Sequence, residues 1–131
     1  MNLLLDTHVL LWWRGGDRKL GKRARATIET HAATVRVSAA SAWEMAIKSR
    51  GGRLALPEPL HVWMPAALDS SGFGVLHVTI DHAIAVANLP DHHSDPFDRM
   101  LIAQAHIEGL TIVTSDAAFE DYDVTLLDAR T

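Results

Sequence analysis

Three consecutive leucines running straight into Asp6-Thr7-His8 constrain this chain more than any other stretch. A short apolar run that ends on Asp-Thr reads as a buried strand delivering a carboxylate to the edge of a sheet. In open parallel sheets, ligands bind beyond the carboxyl ends of the strands. Asp6 is therefore the first candidate for chemistry.

The rest of the chain alternates helix and strand signals. Val9 to Trp13 reads as a short helix closed by Gly15-Gly16. Over residues 20–32, Leu20, Ala24, Ile28 and Ala32 form an apolar stripe at helical spacing, with Lys22, Arg23 and Arg25 off it. Residues 34–38 are β-prone. Ser38 or Ser41 caps a helix from Ala39 to about Arg50, which Gly51-Gly52 ends. A helix from Leu60 to about Leu68 follows, with Trp63 and Ala67 inward and Pro65 shortening or bending it. Ser70-Ser71-Gly72 is a turn, residues 75–78 a strand, and residues 80–87 a short helix with Asp81 near its start. A polar loop from Leu89 to Pro96 leads into the clearest helix, Phe97 to Gly109, with Leu101, Ile102, Ala105 and Ile107 apolar and Gly109 at its end. Strands over 110–114 and 124–127 close the chain. This order predicts one α/β domain, a mainly parallel sheet with helices on both faces.

A length of 131 residues fits one domain with one substantial core. No apolar run approaches the roughly 20 residues that cross a bilayer, and no basic segment precedes the first apolar run as in a signal peptide. Cysteine is absent, which removes disulfides, thiolate catalysis and cysteine-ligated zinc or iron–sulfur sites. A cytoplasmic protein with no membrane contact is the simplest expectation. The net charge of −4 hides an asymmetry: residues 1–53 hold ten of the twelve Lys and Arg but four of the sixteen acids. A basic flank beside an acidic site suits a phosphodiester substrate held over a metal; an ordinary solvated helix face is the plain alternative.

Four carboxylates occupy suggestive places. Asp6 follows the first strand, Glu44 lies within the third helix, Asp98 opens the helix after the polar loop, and Asp116 follows the strand Ile112-Val113-Thr114. If Asp6 and Asp116 end parallel neighbours, they share one sheet edge, and Asp98 at a helix start lies near it. Several acids on one rim describe a hard-cation site for Mg²⁺ or Mn²⁺, since like charges repel unless a cation neutralises them. Each acid has a plainer reading. Asp98 suits a helix dipole, Glu44 is spaced to pair with Lys48 on an exposed face, and Asp6 and Asp116 are turn formers. Trp43, Met45, Ala46 and Ile47 around Glu44 argue against a solvent acid.

His92, His93 and Asp95 cluster in the polar loop, either as a transition-metal triad or as polar surface. His8 suits a packed or capping role. Trp12, Trp13, Trp43 and Trp63 are either base-stacking platforms or core and partner-facing anchors.

Four segments together carry a family likeness: Leu3 to Trp12 (LLLDTHVLLW), Ser41 to Lys48 (SAWEMAIK), Asp95 to Ala105 (DPFDRMLIAQA) and Thr114-Ser115-Asp116. They resemble a PIN domain, and more closely the VapC-type toxins of bacterial and archaeal toxin–antitoxin pairs. The resemblance implies a three-layer α/β/α fold and a metal-dependent ribonuclease. It matches Asp6, Glu44 and Asp98 to the family's three principal acids and Asp116 to a fourth position that varies; Asp95 lies in a matching stretch with no clear role. It further implies a homodimer, a cognate antitoxin that occludes the site, and RNA targets such as tRNA or rRNA.

The expected chemistry is phosphodiester hydrolysis. Asp6 and Asp98 would hold Mg²⁺ or Mn²⁺, with Glu44 and Asp116 completing the site directly or through water. Thr7 and Ser115 would hydrogen-bond the ligands or the substrate. Arg14, Arg18, Lys22 and Arg25, with Arg50 and Arg53, would hold the RNA backbone, while Lys48 balances Glu44. Two rivals stand beside this. One is a phosphatase or phosphotransferase of the haloacid-dehalogenase kind, which wants a second Asp where His8 stands and a Lys before its last acids. The other is a non-catalytic binding module.

Overall fold

A computed structural model describes residues 1–131. It carries five parallel strands, β1 (Leu3–Leu5), β2 (Val35–Ser38), β3 (Gly74–Leu76), β4 (Thr111–Thr114) and β5 (Thr125–Asp128), in the order β3-β2-β1-β4-β5. Six helices connect them: α1 (Thr7–Gly15), α2 (Lys22–Thr30), α3 (Ala39–Arg50), α4 (Leu60–Ser71), α5 (Ile80–Ala87) and α6 (Pro96–Glu108). The mainly parallel sheet expected from the sequence is parallel at every pairing.

Alternation along β1 explains the layers, because successive side chains in a strand point to opposite faces. Leu3 and Leu5 join one core with Val9 and Leu10 of α1, Ala24 and Ile28 of α2, Met45 of α3 and Trp63 and Ala67 of α4. Leu4 faces the other way, into a second core with Leu101, Ile102 and Ala105 of α6, Ile112 and Phe119. The leucine triplet is fully buried because it is covered on both sides. The strand order also places the site. The chain builds outward from β1 through β2 to β3, then crosses to β4 on the other side of β1. Such a reversal leaves a crevice beyond the carboxyl ends of β1 and β4, where ligands bind in open α/β sheets.

Local signals behaved as their chemistry requires, with a few departures. Gly16 and Gly109 end α1 and α6 with φ of 63° and 67°, the left-handed conformation that glycine adopts without strain. Ser38 caps α3 by accepting from the Ala40 N–H. The helix expected to close near Leu68 continues to Ser71. Pro65 is tolerated on its exposed face while Trp63, Met64 and Ala67 hold the other face in the core. The strand expected over 75–78 ends at Leu76. Ile107, expected on the apolar face of α6, is instead exposed, because the buried run of that helix is Leu101 to Ala105. Of the tryptophans, Trp63 is core, Trp12 and Trp13 are half-buried, and Trp43 is 64% exposed with its ring edge-on to Phe97. His8 neither packs inside nor caps; it is exposed beside Trp12. No helix is long and apolar enough to cross a membrane.

Candidate metal centre

Asp6 takes the N-cap position of α1, yet its carboxylate makes no capping hydrogen bond. An aspartate there ordinarily satisfies helix N–H groups. Instead it is 6% exposed, and its Oδ2 accepts from Thr114 Oγ1 at 2.9 Å across the crevice between β1 and β4. Burial pushes its carboxyl upward from the ordinary aspartate range; the Thr114 hydrogen bond opposes this, and the Glu44 charge adds to it.

Glu44 lies on the second turn of α3 and is 4% exposed. Its Oε1 accepts from Thr7 Oγ1 at 2.7 Å, and its Oε2 pairs with the Lys48 ammonium one turn on. The i,i+4 pair anticipated on an exposed face does exist, but its carboxylate end is buried. Thr7 therefore grips a carboxylate from inside the protein, at 3% exposure, rather than standing open to a substrate. Ser41 Oγ, buried one turn before Glu44, has no protein partner.

Asp95 is the helix cap in the DPFD stretch: its Oδ1 accepts from the N–H groups of Phe97 at 2.8 Å and Asp98 at 3.1 Å. With the cap supplied, Asp98 in the first turn of α6 is free to serve elsewhere. Burial, reinforced by the charges of Asp6 and Asp95, pushes its carboxyl up to about 7, against the pull of a hydrogen bond with His93. Asp116 is exposed. Its Oδ1 accepts from Ala118 N–H at 2.9 Å, and its own N–H donates to Thr114 Oγ1 at 3.0 Å. Ser115 is exposed beside it, lining a depression with Glu120 and Asp128.

The loop triad His92, His93 and Asp95 does not form. His92 is exposed with its ring 5.3 Å from that of Tyr122, and Asp95 is spent on the cap. His93 alone turns to the acids: its Nε2 lies 2.7 Å from Asp98 Oδ2, and ligand atoms of His93, Asp98 and Asp116 all fall within 4.8 Å of one another. Sequence reasoning missed Thr114 as a member of the site. Its only signal was its place as the last residue of a buried strand, one step before Ser-Asp.

The basic residues flank this centre without entering it. Arg14 lies eight residues beyond Asp6 on α1, about 12 Å along the axis, and donates to Ser70 Oγ. Arg25 stacks 5.4 Å over the Trp13 ring. Arg18 and Lys22 are exposed, as are Arg50 and Arg53.

A hard divalent cation fits this donor set. Asp6 lies in the field of Glu44 and Asp98 in that of Asp6, both carboxyls being raised by burial and repulsion, and Asp116 offers a ligand atom within 4.8 Å of one on Asp98. Lys48 is the one lysine or arginine paired with any of the four. Crowded oxygen donors with unbalanced charge are what Mg²⁺ and Mn²⁺ satisfy.

The family model for the PIN domain matches residues 3–124. Ribonuclease VapC22 of Mycobacterium tuberculosis is 31% identical over 115 residues, covering 87% of this chain and 86% of that protein. The fold is shared with DNA-bound VapBC from Salmonella typhimurium, at a TM-score of 0.72, 18% identity and 98% coverage of both chains. It is shared too with VapBC2 from Rickettsia felis bound to a promoter DNA fragment, at 0.73 and 14% identity over 97% and 98% of the two chains. FitAcB from Neisseria gonorrhoeae aligns at 0.69 and 21% identity over 97% of each. A match of this extent leaves no room for the haloacid-dehalogenase alternative. By family model, sequence and fold together, the chain belongs to the PIN-domain family and is of VapC type.

Proposed function

We propose that this protein is a Mg²⁺- or Mn²⁺-dependent endoribonuclease, the toxin of a toxin–antitoxin pair. The observation that supports the reading is a chain of neighbouring acids: Asp6 feels the charge of Glu44, Asp98 feels that of Asp6, and Asp98 and Asp116 offer ligand atoms within 4.8 Å of each other, with Lys48 the one ammonium paired among them. Asp6 and Asp98 would be the principal ligands, with Glu44 and Asp116 completing the site. Bound there, such a cation lowers the pKa of a coordinated water and draws negative charge off the phosphate.

The protein's own groups do the rest. Thr114 and Thr7 hold the Asp6 and Glu44 carboxylates by hydrogen bonds, which would limit their reorganisation on binding. Lys48 balances Glu44 from the side away from Thr7. Ser115, exposed next to Asp116, is placed to donate to a phosphate oxygen or a ribose hydroxyl. Arg14, Arg18, Lys22 and Arg25 would grip the RNA backbone on either side of the scissile bond through salt-sensitive phosphate contacts. Water attacks phosphorus as one P–O bond breaks; the leaving oxygen gains a proton and the attacking water loses one.

The relatives named VapBC and FitAcB are two-protein assemblies. We infer for this chain a cognate antitoxin that covers the acidic crevice, a homodimer as the working form, and a cytoplasmic site of action. Incubating a mixed RNA pool with the protein and Mg²⁺, Mn²⁺ or EDTA tests the reaction. Cleavage should require the metal and vanish in Asp6→Ala and Asp98→Ala; undiminished cleavage in both variants would overturn the assignment. Co-purification with the product of the neighbouring gene tests the partner.

A further inference from the structure

Among the donors on the rim, one is not a carboxylate. We propose that His93 is a nitrogen ligand of the metal centre, making it a mixed imidazole–carboxylate site that favours first-row transition ions over Mg²⁺. This rests on the reading that the acids hold a divalent cation.

His93 and Asp98 are spaced as adjacent donors on one ion, and Asp116 lies near enough to reach the same ion with a small side-chain shift. Donor atoms on a single octahedral ion with bonds near 2.1 Å lie about 3 Å apart when adjacent and about 4.2 Å when opposite. His93 Nε2 is 2.7 Å from Asp98 Oδ2, and one ligand atom each from His93, Asp98 and Asp116 lies within 4.8 Å of the others. Nε2 and Oδ2 face each other at hydrogen-bond distance. Both ligand atoms are thus turned to one place, which a cation can take with the neutral imidazole binding through Nε2.

The imidazole is also held as a ligand must be. His93 N–H donates to Tyr122 Oη at 2.9 Å, and the His93 carbonyl accepts from Arg99 Nη1 at 3.3 Å. Its ring packs edge-on to Phe119, which is fully buried. Arg99, itself nearly buried, also donates to the carbonyls of Val86, Leu89 and Pro90 and so ties the whole loop to α6. Both ends of one loop histidine are thereby anchored, while its neighbour His92 stays exposed. A surface histidine needs no such frame; a ligand does, because preorganised donors bind metal without the cost of ordering a loop. The nitrogen sets the preference, since Mg²⁺ is satisfied by oxygen and transition ions accept imidazole.

The test is Mn²⁺ titration of the full chain followed by pulsed EPR, with Mg²⁺ measured by competition. The wild type should show ¹⁴N modulation from one imidazole. In His93→Gln that modulation should disappear, Mn²⁺ should bind at least about tenfold more weakly, and Mg²⁺ affinity should be nearly unchanged. Mn²⁺ binding without ¹⁴N coupling in the wild type overturns the inference and leaves the carboxylate site standing. Coupling that persists in His93→Gln assigns the nitrogen to another histidine and overturns it equally. A wild type that binds no Mn²⁺ removes both the inference and the metal reading beneath it.

Discussion

Thr114 Oγ1 donates to Asp6 Oδ2 at 2.9 Å and accepts the Asp116 N–H at 3.0 Å, so one hydroxyl at the end of β4 sets two of the four acids. Thr114 and Asp6 are 108 positions apart and meet only because β1 and β4 are parallel neighbours. Thr114→Val keeps the side-chain shape and deletes both bonds. RNA cleavage at saturating Mn²⁺ should fall about 10–100-fold, the usual cost of removing a group that orients a ligand, and Thr114→Ser should recover most of it. The fold should lose only about 1–2 kcal/mol, measured by urea unfolding. An unchanged cleavage rate in Thr114→Val would show that Asp6 needs no such anchor.

Metal-free stability should depend on pH through Asp98. Its carboxyl ordinarily titrates at 3.8 and is pushed to about 7 by burial. Between those values the folded protein holds a proton that the unfolded chain has released. The stability this provides is fully present below the unfolded value and is lost as pH rises through about 7. Asp6, raised in the same sense by burial, adds to the trend. In EDTA the protein should therefore melt higher near about pH 5 than near about pH 8. Asp98→Asn should flatten that slope and stabilise the metal-free form at the alkaline end by on the order of 1–4 kcal/mol. Calorimetry across the range checks it, and a slope identical in wild type and variant would count against the buried carboxyl.

The contrast between Thr114 and Asp6 also shows what a sequence can and cannot announce. Asp6, Asp98 and Asp116 were visible because each ends a strand or opens a helix, and those boundaries are local chemistry: apolar runs, caps and glycines. Glu44 stood out among apolar neighbours, yet Trp43, Ala46 and Ile47 are themselves exposed and only Met45 shares its burial. Thr114 was invisible because a threonine ending a strand is ordinary, and its importance comes from the partner strand. His93 was visible but misplaced: sequence proximity grouped it with His92 and Asp95, whereas the loop's attachment to Arg99 and Tyr122 turns it to Asp98 and Asp116. Likewise, Pro65 looked like a helix breaker because only the tertiary core of Trp63, Met64 and Ala67 keeps α4 going past it.

Lys48 stands a third exposed with its ammonium on a buried Glu44. Removing it leaves a carboxylate held by Thr7 alone, an uncompensated charge in low dielectric. Lys48→Met should destabilise the metal-free fold by about 1–2 kcal/mol, given the exposure of the lysine, and lower its melting temperature accordingly. The loss should shrink when Mn²⁺ is added, because a cation then balances Glu44 in place of the ammonium. Thermal melts of wild type and variant with EDTA or Mn²⁺ decide it; a deficit of equal size in both would separate Glu44 from the metal centre.

The basic flank makes the last prediction, and it is about salt rather than rate. Arg14 and Arg25 already have protein partners in Ser70 and Trp13, whereas the side chains of Arg18 and Lys22 are exposed and make no hydrogen bond or ion pair within the fold. If the RNA backbone crosses this surface, each lost phosphate contact reduces the number of counterions released on binding. The slope of log Kd against log salt should then fall by about 0.7 for Arg18→Ala and again for Lys22→Ala on single-stranded RNA. Arg25→Ala should act differently, since it also uncovers the Trp13 ring that packs on Phe73. It should weaken binding and cost stability together. Titrations with catalytically silent Asp6→Asn protein isolate binding from cleavage. A double Arg18→Ala, Lys22→Ala variant with the wild-type salt slope would place the RNA on another face.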